Sequence, residues 1–332
     1  MVRVVSRFAP AWMPALFFSS VLLLQGCSLL PGRSAPADAA EGSPVASGST
    51  RASTRDAFTL QVIGPDAERD YLSKHLEIQR YRQVDDLGAS ELSRLMVAAE
   101  GNARELLGTL GYFAPTLTLE LKETPDSSKA PREVVVTVVP GAQTRVSTVQ
   151  IAFTGPIEAD AAAEAQRDGI RTAWSLRAGQ PFTQQAWDNA KTVALRNLTA
   201  KRFPTGSIAI SRAEVDADRS EARLGVTYQS GPAYRFGLLK VNGSERYDPD
   251  AARRIARLPT GSDYDQQKLL DAQQRLASSG YYDSVFLTLD TDGTDPLAAP
   301  VTAQLREAPL QKIVLGAGFT TDSGPRLSID HI

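Results

Sequence analysis

The sequence predicts an α+β chain of three tandem βααββ modules followed by one β-hairpin. Three observations predict it. A helix running into an aromatic turn recurs at Leu110-Gly111-Tyr112-Phe113, Lys201-Arg202-Phe203-Pro204 and Ser279-Gly280-Tyr281-Tyr282. A proline or glycine break after a β-rich run recurs at Pro140-Gly141, Gly231-Pro232 and Ala308-Pro309. A strand ending in glycine and leading into a helix recurs at Val62-Ile63-Gly64, Phe153-Thr154-Gly155 and Val241-Asn242-Gly243. The first two sets are spaced by about 90 and then just under about 80 residues, the signature of an internal repeat.

Residues 1–27 read as an export signal. Arg3 and Arg7 give a positive start, and the apolar run Phe8–Leu24 is broken by Pro10 and Pro14. That run is too short and interrupted for a membrane-spanning helix. It ends in Leu24-Gln25-Gly26-Cys27, similar to a bacterial lipobox, in which the cysteine thiol becomes the acyl acceptor. Cys27 is therefore the candidate lipid attachment; a plain secretory signal with an unrelated cleavage site stays open beside it. Residues 28–56, rich in Ser, Ala, Gly and Pro, bury too little surface to fold and read as a flexible tether.

The three units are expected at residues 57–141, 142–231 and 232–309. Their second helices are the clearest elements. Leu92, Leu95, Met96, Ala99, Ala103, Leu106, Leu107 and Leu110 share one face at helical spacing. Ala186, Trp187, Ala190, Val193, Ala194 and Leu198 do the same, and then Leu269, Ala272, Leu276 and Ala277. Ser90, Thr183 and Ser262 stand where N-caps belong, with side-chain oxygens for the free first-turn amides. After each aromatic turn the strands alternate: Leu117, Leu119 and Leu121 on one face, then Ile208 and Ile210, then Val285, Leu287 and Leu289. The closing strands carry Val134/Val136/Val138, Leu224/Val226/Tyr228 and Val301/Ala303/Leu305. These residues specify cores and carry no chemistry.

Residues 310–332 change character. Ile313, Leu315, Ala317 and Phe319 alternate with Val314, Gly316, Gly318 and Thr320, a turn follows, and Arg326–Ile329 return. Glycines inside the first strand suit a curved sheet. Two strands cannot close a membrane barrel, which needs about eight, so the chain is either a fragment of a longer protein or a truncated product.

Composition limits the function. Of 332 residues, 42% are hydrophobic and 22% charged, the balance of a globular protein. A net charge of −2 without a Lys/Arg run excludes a nucleic-acid footprint. One cysteine and two histidines leave no metal site or Cys/His pair. Asp322-Ser323-Gly324 matches an aspartic-protease element, but the second such carboxylate is missing. Gly316-Ala317-Gly318 lacks the third glycine and the helix of a dinucleotide loop. The aromatic turns have no interleaved basic residues for base stacking, so Tyr112/Phe113 and Tyr281/Tyr282 are read as wedges anchoring the helix-to-strand corner. No enzyme activity, cofactor or metal is expected.

The repeated unit, carried by LLGTLGYFAPTLTLEL and RLASSGYYDSVFLTLD, resembles the POTRA (polypeptide-transport-associated) domain. The ending LQKIVLGAGFTTDSGPRLSIDH resembles the barrel entry of TamA-like outer-membrane assembly proteins of the BamA/TamA superfamily. The likeness covers nearly all of residues 57–332. The second unit departs from the pattern, with Lys201-Arg202-Phe203 in place of Gly-aromatic-aromatic; the lipobox-like segment is a further departure. The resemblance implies three POTRA domains in the periplasm and, at 310–332, the first hairpin of a truncated transmembrane β-barrel in the outer membrane. It implies work in protein assembly, with unfolded outer-membrane or autotransporter clients, outer-membrane lipid and a TamB-like inner-membrane protein as partners. The strands after the aromatic turns, near 115–121, 207–215 and 284–290, are then the edges that receive client strands by β-augmentation. Gly111, Tyr112, Phe113, Phe203, Gly280, Tyr281 and Tyr282 are the structural turns between helix and edge. A lipid-anchored periplasmic scaffold of such repeats, without a functional barrel, is the alternative.

Overall fold

The computed structural model describes residues 56–310 apart from Asp85 and Ser128, together with strand segments 2–4, 313–320 and 324–331. Cys27, the tether up to residue 55 and Asp322 lie outside the described residues. The first strand, β1 (Val2–Val4), is followed by the first module: β2 (Thr59–Ile63), α1 (Asp66–His75), α2 (Ala89–Thr109), β3 (Thr116–Glu123) and β4 (Arg132–Val139). The second holds β5 (Arg145–Thr154), a short α3 (Pro156–Ala159), α4 (Glu164–Thr172), α5 (Gln184–Thr199), β6 (Ser207–Asp216) and β7 (Glu221–Gln229). The third holds β8 (Phe236–Asn242), α6 (Pro249–Ala256), α7 (Gln266–Ala277), β9 (Tyr282–Leu289) and β10 (Ala299–Glu307). Strands β11 (Ile313–Thr320) and β12 (Gly324–His331) form a separate hairpin, paired from Ile313↔His331 to Thr320↔Gly324.

The three modules share one topology. The strand order is β2-β4-β3, then β5-β7-β6 with β1 outside β6, then β8-β10-β9. The last strand of each module is central, parallel to the first and antiparallel to the one before it. Central position explains the dense hydrophobic reading of these strands: Val134, Val136 and Val138, then Leu224, Val226 and Tyr228, then Val301, Ala303 and Leu305 are all buried. Each module has its own core between sheet and helix pair. Full burial of one such Leu, Val or Phe contributes about 1.5–3 kcal/mol.

Helix caps and faces follow the sequence pattern with four local differences. Thr183 caps α5 as expected, its hydroxyl accepting from the Ala186 amide at 3.1 Å. The cap of α2 is Gly88, because helical geometry begins at Ala89 and draws Ser90 into the first turn. The cap of α7 is Asp265, whose carboxylate accepts from the Gln267 amide at 2.9 Å; Ser262 instead bonds back to the Pro259 carbonyl in the preceding turn. Val193 and Ala277 are exposed. Each directly precedes or follows a buried residue, so the roughly 100° step per residue turns it off the core stripe.

Among the described residues no helix is long and apolar enough to cross a membrane, and no group of three His, Cys, Asp or Glu side chains could hold a metal ion. His75 stands exposed at the end of α1 beside Tyr71, with rings 4.6 Å apart.

Candidate functional site

Two features recur in every module: an outer strand and a corner. The outer strands are β3, β6 and β9, each bonded on its inner side to the central strand. Among the described residues β3 and β9 have no strand on the other side, while β6 carries β1 in antiparallel register, Val2↔Val215 to Val4↔Ala213. Leu117, Leu119 and Leu121 turn inward against the first core, as Val285, Leu287 and Leu289 do in the third. Their side chains therefore belong to the module, and what the edge offers outward is backbone amides and carbonyls with polar or apolar flanks. Phe286, 61% exposed, is the large apolar flank on β9.

Ile208 and Ile210 do not share a face. Ile208 pairs with Tyr228 but Ile210 pairs with Thr227, so a bulge at Ala209 inserts one extra residue. The bulge reverses the alternation. Ile208 packs on the core, Ile210 is 56% exposed, and Ala213 and Val215 resume the inward face.

The corners follow α2, α5 and α7. Gly111, Arg202 and Gly280 all adopt the left-handed region, with φ of 94°, 59° and 79°. The departure at Arg202 thus changes the side chain and keeps the backbone turn. Phe203 and Tyr282 are buried in their own modules' cores, and Tyr112 packs partly buried on the first. Burial and the neighbouring Glu68 carboxylate push the Tyr112 phenol above its ordinary range. Phe113 behaves differently: it packs on the second module's core, with its ring 6.0 Å from Phe182. Tyr281 remains 47% exposed.

The first two corners are joints. The Thr144 amide donates to the Gly111 carbonyl at 2.9 Å, and the Phe182 amide donates to the Thr144 carbonyl at 2.8 Å. The Gln143 side-chain amide adds a bond to the Leu110 carbonyl at 3.0 Å. At the second joint the Tyr234 amide donates to Arg202 at 2.7 Å, Tyr264 to Tyr234 at 2.9 Å, and Arg202 to Tyr264 at 2.8 Å. Each corner is therefore one rung of a small backbone ladder completed by the next module. Glycine is required at the first: a Cβ on Gly111 would stand 2.0 Å from the Phe182 carbonyl oxygen. The second joint adds charge, with the Arg202 guanidinium 2.8 Å from Asp160 of its own module and 3.5 Å from Asp263 of the next. Arg235 also reaches Asp263, at 3.1 Å.

Sequence reasoning missed Thr144, Phe182, Tyr234 and Tyr264. A signal existed: an aromatic residue immediately before a helix cap recurs as Phe182-Thr183 and Tyr264-Asp265. Both aromatics are buried although they stand in loops.

Comparison with known proteins places one module directly. Residues 234–307 match the family model described as POTRA, surface antigen variable number repeat. Solved structures similar to the chain include POTRA domains 3–5 of BamA from Haemophilus influenzae (14% identity, TM-score 0.43, 76% of this chain and 96% of that one). Others are BamA from Haemophilus ducreyi lacking POTRA domains 1–3 (14%, 0.44, 56% and 33%) and POTRA domains 1–3 of Omp85 from Anabaena (15%, 0.29, 77% and 95%). The matched stretch coincides with the third module, and the two modules before it carry the same strand order.

Proposed function

We propose that the chain is the periplasmic region of an outer-membrane protein assembly or translocation factor of the BamA/TamA type. In this reading residues 57–141, 142–231 and 232–309 are three POTRA domains, and the hairpin from 310 opens a membrane barrel. Clients, including autotransporters, are held by β-augmentation, and a TamB-like protein is the inner-membrane partner. One observation carries the reading: in all three modules the same strand, following the corner, is the outermost of the module's own three strands, open in β3 and β9 and occupied by β1 in β6. Backbone pairing is indifferent to side-chain identity, so such an edge suits varied unfolded polypeptides. The antiparallel seat that β6 gives to β1 supports the same idea, since a strand fits there without disturbing the module's pairing.

The test is photo-crosslinking from the edges. A photoreactive residue at Thr118, Ile210 or Phe286 should capture unfolded outer-membrane polypeptides in cells. The same residue at Val97 or Val193, exposed on helices, should capture far less. Equal capture from strands and helices would sink the edge reading.

A further inference from the structure

The two helices of each module pack together, and the side chains that bridge the first helix to the end of the second differ among the modules. In the first module Tyr112 stands against Glu68 and the Tyr71 hydroxyl lies 3.3 Å from Thr109. In the second the Gln166 amide donates to the carbonyls of Asn197, Leu198 and Lys201, and Arg202 reaches Asp160. In the third the corner residue is Gly280, and Tyr281 after it stays 47% exposed. A groove of about 630 Å³ remains, lined by Tyr247, Asp248, Arg254, Arg257, Arg275 and Tyr281 among others.

Its chemistry is that of an anion seat with an aromatic wall. Three guanidinium groups face one carboxylate. Arg254 approaches Asp248 only to 3.6 Å, with both side chains largely exposed. Arg275 donates to the Ala256 carbonyl at 2.8 and 3.0 Å and has no acidic partner among the described residues. Arg257, held in the left-handed conformation at the end of α6, has no ion pair among the described residues. The rings of Tyr247 and Tyr281 meet edge-on at 5.0 Å.

Its position is set by the exit of the chain. The Ala308 amide donates to the Tyr281 carbonyl at 2.9 Å, and Arg246 clamps Glu307 at 2.6 Å and the Ala308 carbonyl at 2.6 Å. Strand β11 starts at Ile313, five residues after Ala308. Five residues span at most about 18 Å. The Tyr281 end of the groove thus lies about that reach from the hairpin's first residue.

We propose that this groove seats phosphate headgroups of an anionic phospholipid leaflet and holds the third module against the membrane. The inference rests on reading β11 and β12 as the entry to a membrane barrel. Arginine and tyrosine together at a bilayer surface are the chemistry that phosphate and the interfacial zone select.

The experiment measures co-sedimentation of the full chain with phosphatidylcholine vesicles, with and without phosphatidylglycerol. Native protein should bind the anionic vesicles about 25-fold more tightly than R254Q/R257Q, roughly fivefold for each arginine lost. The charge-preserving R254K/R257K should stay near native. R219Q/R223Q, which removes two exposed arginines from the second module, should stay within about twofold of native. Equal losses in the R254Q/R257Q and R219Q/R223Q variants, or none in either, would overturn the proposal. So would a soluble polyglutamate peptide binding as tightly as the vesicles, which would make the occupant a polypeptide. The barrel reading is tested separately by the reading frame downstream of Ile332: a stop there sinks that reading, whereas continuation into alternating strands of about ten residues with a flat arginine ratio sinks only the groove.

Discussion

Gly111→Ala is the sharpest probe of the first joint. Alanine at a φ of 94° carries a backbone cost of about 1–2 kcal/mol. The new methyl would stand 2.0 Å from the Phe182 carbonyl oxygen, so the modules must move apart by about 1.4 Å to reach ordinary contact. That motion breaks or lengthens the Thr144-to-Gly111 bond, worth about 0.5–1.5 kcal/mol. It also loosens the Phe113–Phe182 pair, worth a similar amount. The total is about 2–5 kcal/mol, concentrated at the joint. The assay is amide hydrogen exchange resolved by residue. Thr144 and Phe182 should lose protection by two or more orders of magnitude, while the Val136 amide in the first module's central strand keeps most of its own. Unchanged exchange at Thr144 would refute the idea that the corner is a joint.

Arg202→Ala should weaken the second joint more than Arg202→Gly, because glycine relieves the positive φ; both should make the joint less salt-sensitive, read as exchange at the Tyr264 amide across a salt series. Phe203→Ala empties a fully buried site and should cost about 3–5 kcal/mol in urea unfolding of the second module. Tyr228→Phe leaves the Lys191 carbonyl without its 3.0 Å phenol donor and should cost about 1 kcal/mol by the same measurement. Glu307 is held below the usual carboxylate range, first by its side-chain bond to Arg246. A lowered folded value means this contribution is complete above the ordinary glutamate range and fades as pH falls through the folded value. Glu307→Gln should flatten that acid limb in a pH series of third-module unfolding.

Much of the architecture was legible from spacing alone. The triplets Val134/Val136/Val138 and Leu224/Val226/Tyr228 announce strands because every second residue is apolar, and the structure buries all six. Helix ends were harder. Ser90 has the right chemistry for a cap, but helical geometry begins one residue before it, and nothing in the local pattern distinguishes Gly88. Ile210 was misplaced because a bulge shifts register without changing composition. The outer strands followed from the resemblance; periodicity does not tell an edge from a centre. The joints were illegible for a different reason. Gly111 and Phe182 are far apart in sequence, and only the fold brings the glycine Cα under the carbonyl.

The order of strands also governs when a module can exist. Within the first module β2 and β3 never bond to one another; both wait for β4. A chain arriving from its N-terminus cannot zip any sheet shut until the final strand of that unit has emerged. A few residues later the same stretch supplies Thr144 or Tyr234 to lock the corner behind it. Closure of one unit and its coupling to the following one are thus nearly simultaneous. The array should mature as a sequence of ratchet clicks, each fixing what came earlier before its successor is complete.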